Sequence, residues 1–304
     1  MISVVIPLYN KVATIERAVK SVLNQTVQDF ELIVVNNGST DGSEKIVEGI
    51  LDPRIKLLSQ DNQGVSMARN NGIAAAKGDH IAFLDADDEW MPTFLETVTK
   101  LRKQYPECAV FATAYRRCDA QGQFSDIRLN NIPDAEDFIM DNYFEVAAKS
   151  DPPFCSISVM VSKEALDAID GFPRGIHQGE DLLTWARLAA NYKIAYSKLP
   201  QSFFYTGETT AMGIPKRIPA DDDPVGKGLE MIYHKHPDAK GLKQYIAHWH
   251  KMRASIYLRL PGRSRQCRKE IRTSRRWHRI SKLVFYDVLT FIPYKLRMNL
   301  LNQQ

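Results

Sequence analysis

The stretch IAFLDADDEWMP (81–92) sets four apolar residues directly against Asp85, Asp87, Asp88 and Glu89. A short apolar run bounded by polar residues reads as a strand buried on both faces. Carboxylates crowded at its end repel one another by about 1 kcal/mol per pair even in water, so a positive partner is required beside them. Two more runs rich in Val and Ile, at 2–8 and 30–35, have the same character. They too end in polar clusters, PLYN (7–10) and NNGSTD (36–41).

Helical patterns separate these strands. Ile15, Ala18, Val19, Val22 and Leu23 follow the i, i+3, i+4, i+7, i+8 spacing of an amphipathic helix, and a second amphipathic run covers residues 64–77. Asp41 with Glu44 three residues later reads as a capping signal for the next helix, and Pro92 suits the first turn of a helix after the acids. Alternating strands and helices predict a mostly parallel sheet with helices on both faces. Ligands bind such sheets beyond the carboxyl ends of the strands, so all three polar clusters are expected on one edge.

Acids at 85, 87 and 88 have the oxygen chemistry to hold a hard divalent cation, magnesium or manganese, with positions left for a diphosphate. An acidic turn capping the next helix is the plainer alternative. Neither GxxxxGK[ST] nor a GxGxxG after the first strand is present, so a nucleotide here would be gripped in another way.

With 304 residues, 44% of them hydrophobic, the chain can bury a substantial core. Met1 opens directly onto ISVVIPLYN, without the basic start of a signal peptide, and the four cysteines show neither a disulfide framework nor zinc spacing. No apolar run reaches the roughly 18 residues of a membrane span. A cytoplasmic location is the expectation. The net charge of +4 is unevenly divided. Residues 1–224 hold 22 Lys and Arg against 32 Asp and Glu, and residues 225–304 hold 18 against 4. An acidic body (1–224) and a basic helical appendage (225–304) follow, with the boundary at ADDDPVGKG (220–228).

Four segments then carry a family resemblance: ISVVIPLYNK, SVLNQTVQDFELIVVNNGSTDGS, DNQGVSMARNNGIAAAKGDHIAFLDADDEWMP and GFPRGIHQGEDLLTWARL. Their order and spacing resemble the family 2 glycosyltransferases, inverting enzymes of the GT-A fold, over residues 1–210. The resemblance implies a hexosyltransferase-type enzyme that uses a nucleoside-diphosphate sugar, with a UDP-sugar the expected donor. By it, Asp85-Ala86-Asp87 is the DXD motif. Asp87 would hold manganese or magnesium against the diphosphate, Asp85 would contact the ribose side, and Asp88 would assist as a second metal ligand. Pro7, Tyr9 and Asn10 would line the base pocket, with Glu16 on the following helix. Arg69 and Asn70 of ARNNG would stand near the nucleotide, where a guanidinium suits phosphate oxygens. The family usually has an Asp where this chain has Asn36 and Asn37. Asn37 keeps the hydrogen bonding to a base without the charge, which leaves the base itself open.

Glu180 and Asp181 resemble the family's Glu-Asp motif at a helix start. Asp181 would be the general base that deprotonates the acceptor hydroxyl, with Glu180 the alternate. His177 is a candidate for the acceptor side, and Trp185 reads as core. A helix closed by Gly171 precedes this motif. Thr206, Gly207 and Glu208 stand where the family pattern includes a histidine, so a histidine contact to the donor is in doubt. The resemblance implies a saccharide or lipid-linked saccharide acceptor, as in surface polysaccharide synthesis. A catalytically silent sugar-nucleotide-binding or scaffolding subunit is the alternative.

From Arg259 to Lys282 there are ten basic residues and one acid, Glu270, followed by LVFYDVLTFIPYKL. Such a strip can attach to anionic lipid at the inner face of the membrane, or fold back as a solvated helical face. Nucleic acid is not the expected partner, because the body is acidic and no nucleic-acid motif is present.

Overall fold

The computed structural model of the chain describes residues 1–206 and 218–302. Contacts divide it into two units, Met1–Gly207 and Glu208–Gln304. The division falls before the composition boundary at 224/225, because residues 218–223 lead into the first helix of the second unit, whose Asp223 side chain caps it.

The first unit alternates strand and helix as its sequence requires: β1 (Ile2–Leu8), α1 (Ile15–Leu23), β2 (Phe30–Asn36), α2 (Ser43–Glu48), β3 (Ile55–Ser59), α3 (Val65–Ala75) and β4 (His80–Phe83). After the acids come β5 (Glu89–Trp90), α4 (Phe94–Gln104), β6 (Val110–Cys118), β7 (Phe124–Asp126), β8 (Asp137–Ile139) and α5 (Tyr143–Lys149). β9 (Val159–Ser162), α6 (Lys163–Ala168), α7 (Glu180–Asn191) and β10 (Ile194–Tyr205) complete it. One mixed sheet results, in the order β3-β2-β1-β4-β9-β6-β10-β5, with β7 on β6 and β8 on β10. β3, β2, β1 and β4 run parallel, so the carboxyl ends of β1, β2 and β4 share one edge. β9 enters antiparallel to both β4 and β6. This is the expected fold class, a sheet with flanking helices and a helical C-terminal region.

Packing explains the two apolar periods. β1 and β2 are buried almost end to end, and the stripe Ile15, Ala18, Val19, Val22 of α1 lies wholly in the core. α3 packs so closely on β1 that a Cβ on Gly72 would stand 2.3 Å from Val5 Cγ1. Only glycine fits there. β3 carries no clear strand signal in its sequence, because IKLLS is half exposed and too polar to form a continuous apolar run.

Three local expectations are corrected. The N-cap of α2 is Gly42, and Asp41 accepts instead from the Ser43 and Val12 N–H groups, so no capping box forms. α4 begins at Phe94 behind Thr93, which leaves Pro92 outside its first turn. At the end of α6 the first left-handed residue is Asp170, followed by Gly171, also left-handed. The bonds Gly171 N–H to Leu166 O (2.9 Å) and Asp170 N–H to Asp167 O (3.1 Å) form a Schellman closure.

The second unit is helical: α8 (Pro224–Lys235), α9 (Leu242–Leu258), α10 (Ser264–Trp277), α11 (Lys282–Leu289) and α12 (Tyr294–Asn302). Tyr257, Leu258, Cys267, Ile271, Leu283, Tyr286 and Leu289 form its own apolar core. Among the described residues no helix is long and apolar enough to cross a membrane.

Candidate active site

β4 hands the chain to the acids in one step. Leu84 N–H still pairs with Val5 O at 3.1 Å, Asp88 N–H closes a turn on Asp85 O at 3.1 Å, and Glu89–Trp90 then pairs with β10. The positive partners demanded by the sequence are Arg69, Lys11 and Arg17. Arg69 Nη2 lies 2.7 Å from Asp85 Oδ1, and Lys11 Nζ lies 2.6 Å from Asp87 Oδ2. Arg17 donates to the Asp87 carbonyl at 2.5 Å and stacks over the Tyr205 ring at 3.8 Å, while the Tyr205 hydroxyl donates to Glu89.

The three aspartates have different surroundings. Asp87 is the accessible one, its side chain 39% exposed. Asp85 is shielded by Arg69. Asp88 is buried and accepts the Tyr205 N–H at 2.8 Å. Burial, with the charges of Asp85 and Asp87 added, pushes its carboxyl up to about 9.

Arg69 ties this turn to α7. Only 3% exposed, it projects from the buried face of α3, bonds Asp85, and reaches Glu180 Oε1 at 3.5 Å. Burial lowers its pKa, but the charges of Asp85 and Glu180 outweigh that and keep it firmly protonated. The guanidinium therefore organises acids through its two Nη groups, while its buried Nε has no protein partner among the described residues. Asn70 has a similar inward role. Its Nδ2 donates to Phe172 O and its Oδ1 accepts Phe172 N–H, both at 2.8 Å. Gly171 makes this approach feasible, since a Cβ there would lie 2.4 Å from Asn70 Oδ1.

α7 starts behind Gly179, whose positive φ of 81° turns the chain into the helix. Glu180 and Asp181 occupy the first turn, with Asp181 Oδ1 accepting the Leu182 N–H at 2.8 Å. Burial holds both carboxyls above their ordinary values, with Arg69 pulling the other way. Trp185 is core, packed against Phe83, Phe154 and Phe172. His177 is exposed on the preceding loop.

At the ends of β1 and β2, Pro7 pairs in register with Val35, and Tyr9 is exposed just beyond. Asn10 adopts φ +50° and knits the two loops, accepting Thr40 N–H at 2.8 Å and donating its own N–H to Ser39 Oγ at 3.1 Å. Asn36 and Asn37 are buried. Asn37 Oδ1 accepts from Gln60 Nε2 and Gln63 N–H, and its Nδ2 donates to Asn62. Its carboxamide is thus engaged with the 60–63 loop. Glu16 is exposed on α1 and pairs with Lys20 at 2.6 Å. Thr206 donates to Cys118 O at 3.0 Å, and Gly207 and Glu208 lie outside the described residues.

One edge therefore gathers Tyr9, Asn10, Lys11, Asp85, Asp87, Asp88, Arg69, Glu180 and Asp181, from elements far apart in sequence. Lys11, Arg17 and Tyr205 join the site without a motif in the sequence to mark them. The only signal for the first was its place directly after PLYN.

Residues 3–169 match the profile of Glycosyl transferase family 2. A Rickettsia bellii protein described as an uncharacterized glycosyltransferase is 32% identical over 191 residues, covering 62% of this chain and 26% of that protein. A Haemophilus influenzae protein of the same description is 29% identical over 214 residues, 69% of this chain and 81% of that one. The chain spans 26% to 31% of the length of several curated relatives. Among solved structures, Staphylococcus aureus TarS 1-349 in complex with UDP-GlcNAc superposes with a TM-score of 0.68 at 17% identity, covering 99% of this chain and 91% of that one. At that identity the likeness is one of fold.

Proposed function

The chain belongs to glycosyl transferase family 2, and from that premise we propose that it moves a sugar from a nucleoside diphosphate to an acceptor hydroxyl with inversion at the anomeric carbon. The observation that carries the reading is the Arg69 bridge. One buried cation joins Asp85 of the acid turn to Glu180 of α7, which brings the accessible Asp87 and the Glu180–Asp181 pair to one edge.

Asp181 is the general base, taking the acceptor proton as its oxygen attacks from the face opposite the diphosphate. Its raised pKa brings its basicity closer to the working pH. Glu180 shares Arg69 and keeps the helix start in place. The donor set of the acid turn suits a hard divalent cation: Asp87 offers half-open oxygens, whereas Asp88 gives one oxygen to Tyr205 and stands behind it in support. Manganese or magnesium, held by Asp87, would neutralise charge on the departing nucleoside diphosphate when bound. Lys11 adds a second positive charge at the same carboxylate.

The donor is a UDP-sugar in this reading, supported by the exposed Tyr9 at the strand edge and by the UDP-GlcNAc in the similarly folded TarS. Asp85 faces the ribose side. The acceptor is a hydroxyl of a surface polysaccharide or lipid-linked saccharide, met at the cytoplasmic face of the membrane, to which the basic C-terminal region attaches. Incubation with UDP-, GDP- and dTDP-sugars, with and without manganese, tests this. Manganese-dependent turnover lost in Asp87→Ala and Asp181→Asn is expected. Unchanged turnover in both variants refutes the assignments, and donor binding without turnover in the wild type favours the silent-subunit alternative.

A further inference from the structure

α11 is apolar on both faces. Leu283, Tyr286 and Leu289 point into the core of the second unit. On the opposite face Val284 and Val288 are 60% and 57% exposed, and Phe291, one turn on, is 76% exposed. Large apolar residues in a row on the outer face of a helix whose inner face is already buried mark a surface that a partner ordinarily covers.

Beside the row runs a stripe of arginines from α10. Arg268 lies over the Phe291 ring at 5.1 Å and donates to Thr290, and Arg275 pairs with Asp287 at 3.0 Å. Arg272 is exposed between them on the same helix. Asp287 is the only acid after Glu270, which is itself buried against Arg253 and His250. Arg272 and Arg276 have no carboxylate within ion-pair distance among the described residues, so the stripe keeps its positive charge.

From this juxtaposition we infer that Val284, Val288 and Phe291 form the edge that enters a bilayer of anionic lipid, with the α10 arginines at the headgroups. The inference rests on the membrane-surface reading of the basic region and names its contact. A polyanion such as nucleic acid would satisfy the arginines but leave the valines uncovered. A membrane interface takes both, because acyl chains cover the apolar row while phosphates meet the guanidinium groups.

The experiment is flotation of the full chain with vesicles of phosphatidylcholine alone and of phosphatidylcholine with phosphatidylglycerol. Flotation with the anionic vesicles only, weakening as salt rises, is expected. A Val288→Ser/Phe291→Ser variant should lose about tenfold or more of that binding. Arg272→Gln/Arg276→Gln should lose about fivefold for each charge removed. Met231→Ser, exposed on α8, should bind as wild type, and every variant should keep the wild-type melting temperature and turnover of soluble donor.

Wild-type flotation that the serine variant leaves intact overturns the named edge while sparing the surface reading. No flotation at all removes both. Binding to duplex RNA in place of vesicles, or a dimer in solution that the serine variant dissolves, also overturns the inference. Donor turnover, read on the same samples, reports separately on the transferase reading.

Discussion

Each unit contains a buried arginine between two carboxylates, and the two arrangements differ in what is left over. Arg69 bridges Asp85 and Glu180. Arg253 Nε stands 3.0 Å from Glu270 and 3.4 Å from Asp223. Around Arg253 both carboxylates are engaged: His250 Nδ1 lies 2.7 Å from Glu270, Trp249 Nε1 donates to Asp223, and the Glu270 side chain is 7% exposed. Asp223, His250 and Glu270 are close enough to share a metal ion, but the guanidinium already supplies the cation. Around Arg69 the balance stays open: Lys11 meets Asp87, but Asp88 and Asp181 have no cation within ion-pair distance among the described residues. Burial, with neighbouring acids adding to it, raises the carboxyls of Asp88, Glu180 and Asp181, whereas Glu270, also buried, is lowered by His250 and Arg253. A satisfied ion network holds a fold together, while an unsatisfied one is available to a ligand.

Asp181→Asn tests the open side most directly. Turnover should fall about a hundred- to ten-thousandfold, the range for loss of a general base. The melting temperature should hold or rise, because a carboxyl held above its ordinary value opposes folding when ionised. Wild-type turnover should also fall on acidification at a pH above the usual aspartate range. A large loss of stability in this variant would place Asp181 with the closed network instead.

Glu270→Ala tests the closed side. It leaves Arg253 and His250 buried beside a single acid, and unfolding in urea should show a loss of about 3 kcal/mol or more. A loss below about 1 kcal/mol, the scale of an exposed pair, would end the contrast.

A smaller effect is expected from Asn70→Ala, which removes both bonds to Phe172. Stability should drop by about 1–3 kcal/mol, and turnover should drop with it as the start of α7 loosens. Unchanged turnover would confine Asn70 to packing.

The smallest effect concerns pH. Burial alone would raise Glu270, but the His250 hydrogen bond and the Arg253 charge outweigh it and bring the group below 4.5. Its contribution is therefore full above the ordinary glutamate value and is lost as pH falls through the lower folded value. Melting temperatures followed down to about pH 3 should decline less steeply in Glu270→Gln than in the wild type. Equal slopes would mean that the network does not depress the group.

Local pattern made part of this legible. The apolar runs of β1, β2 and β4 and the stripe of α1 are short-range signals, and the structure has them nearly residue for residue. The edge they define also followed, since parallel strands separated by helices must end together. The partners could not be read, because each joins distant segments. Lys11 meets Asp87, Asn70 meets Phe172, and Arg69 meets Glu180 only once the sheet has formed. Arg69 and Asn37 illustrate the cost of reading side chains singly. Both have the right chemistry for a nucleotide, and both also make bonds within the protein that the sequence did not reveal.

The Asn70–Phe172 pair also bears on how such sequences can be recombined. Its halves, with Gly171, lie on either side of the acid turn and much of the sheet. A chimera joined anywhere between 70 and 171 inherits one half from each parent. Such an exchange among relatives is therefore expected to keep this contact only where the parent that supplies position 70 has an asparagine and the parent that supplies position 171 has a glycine.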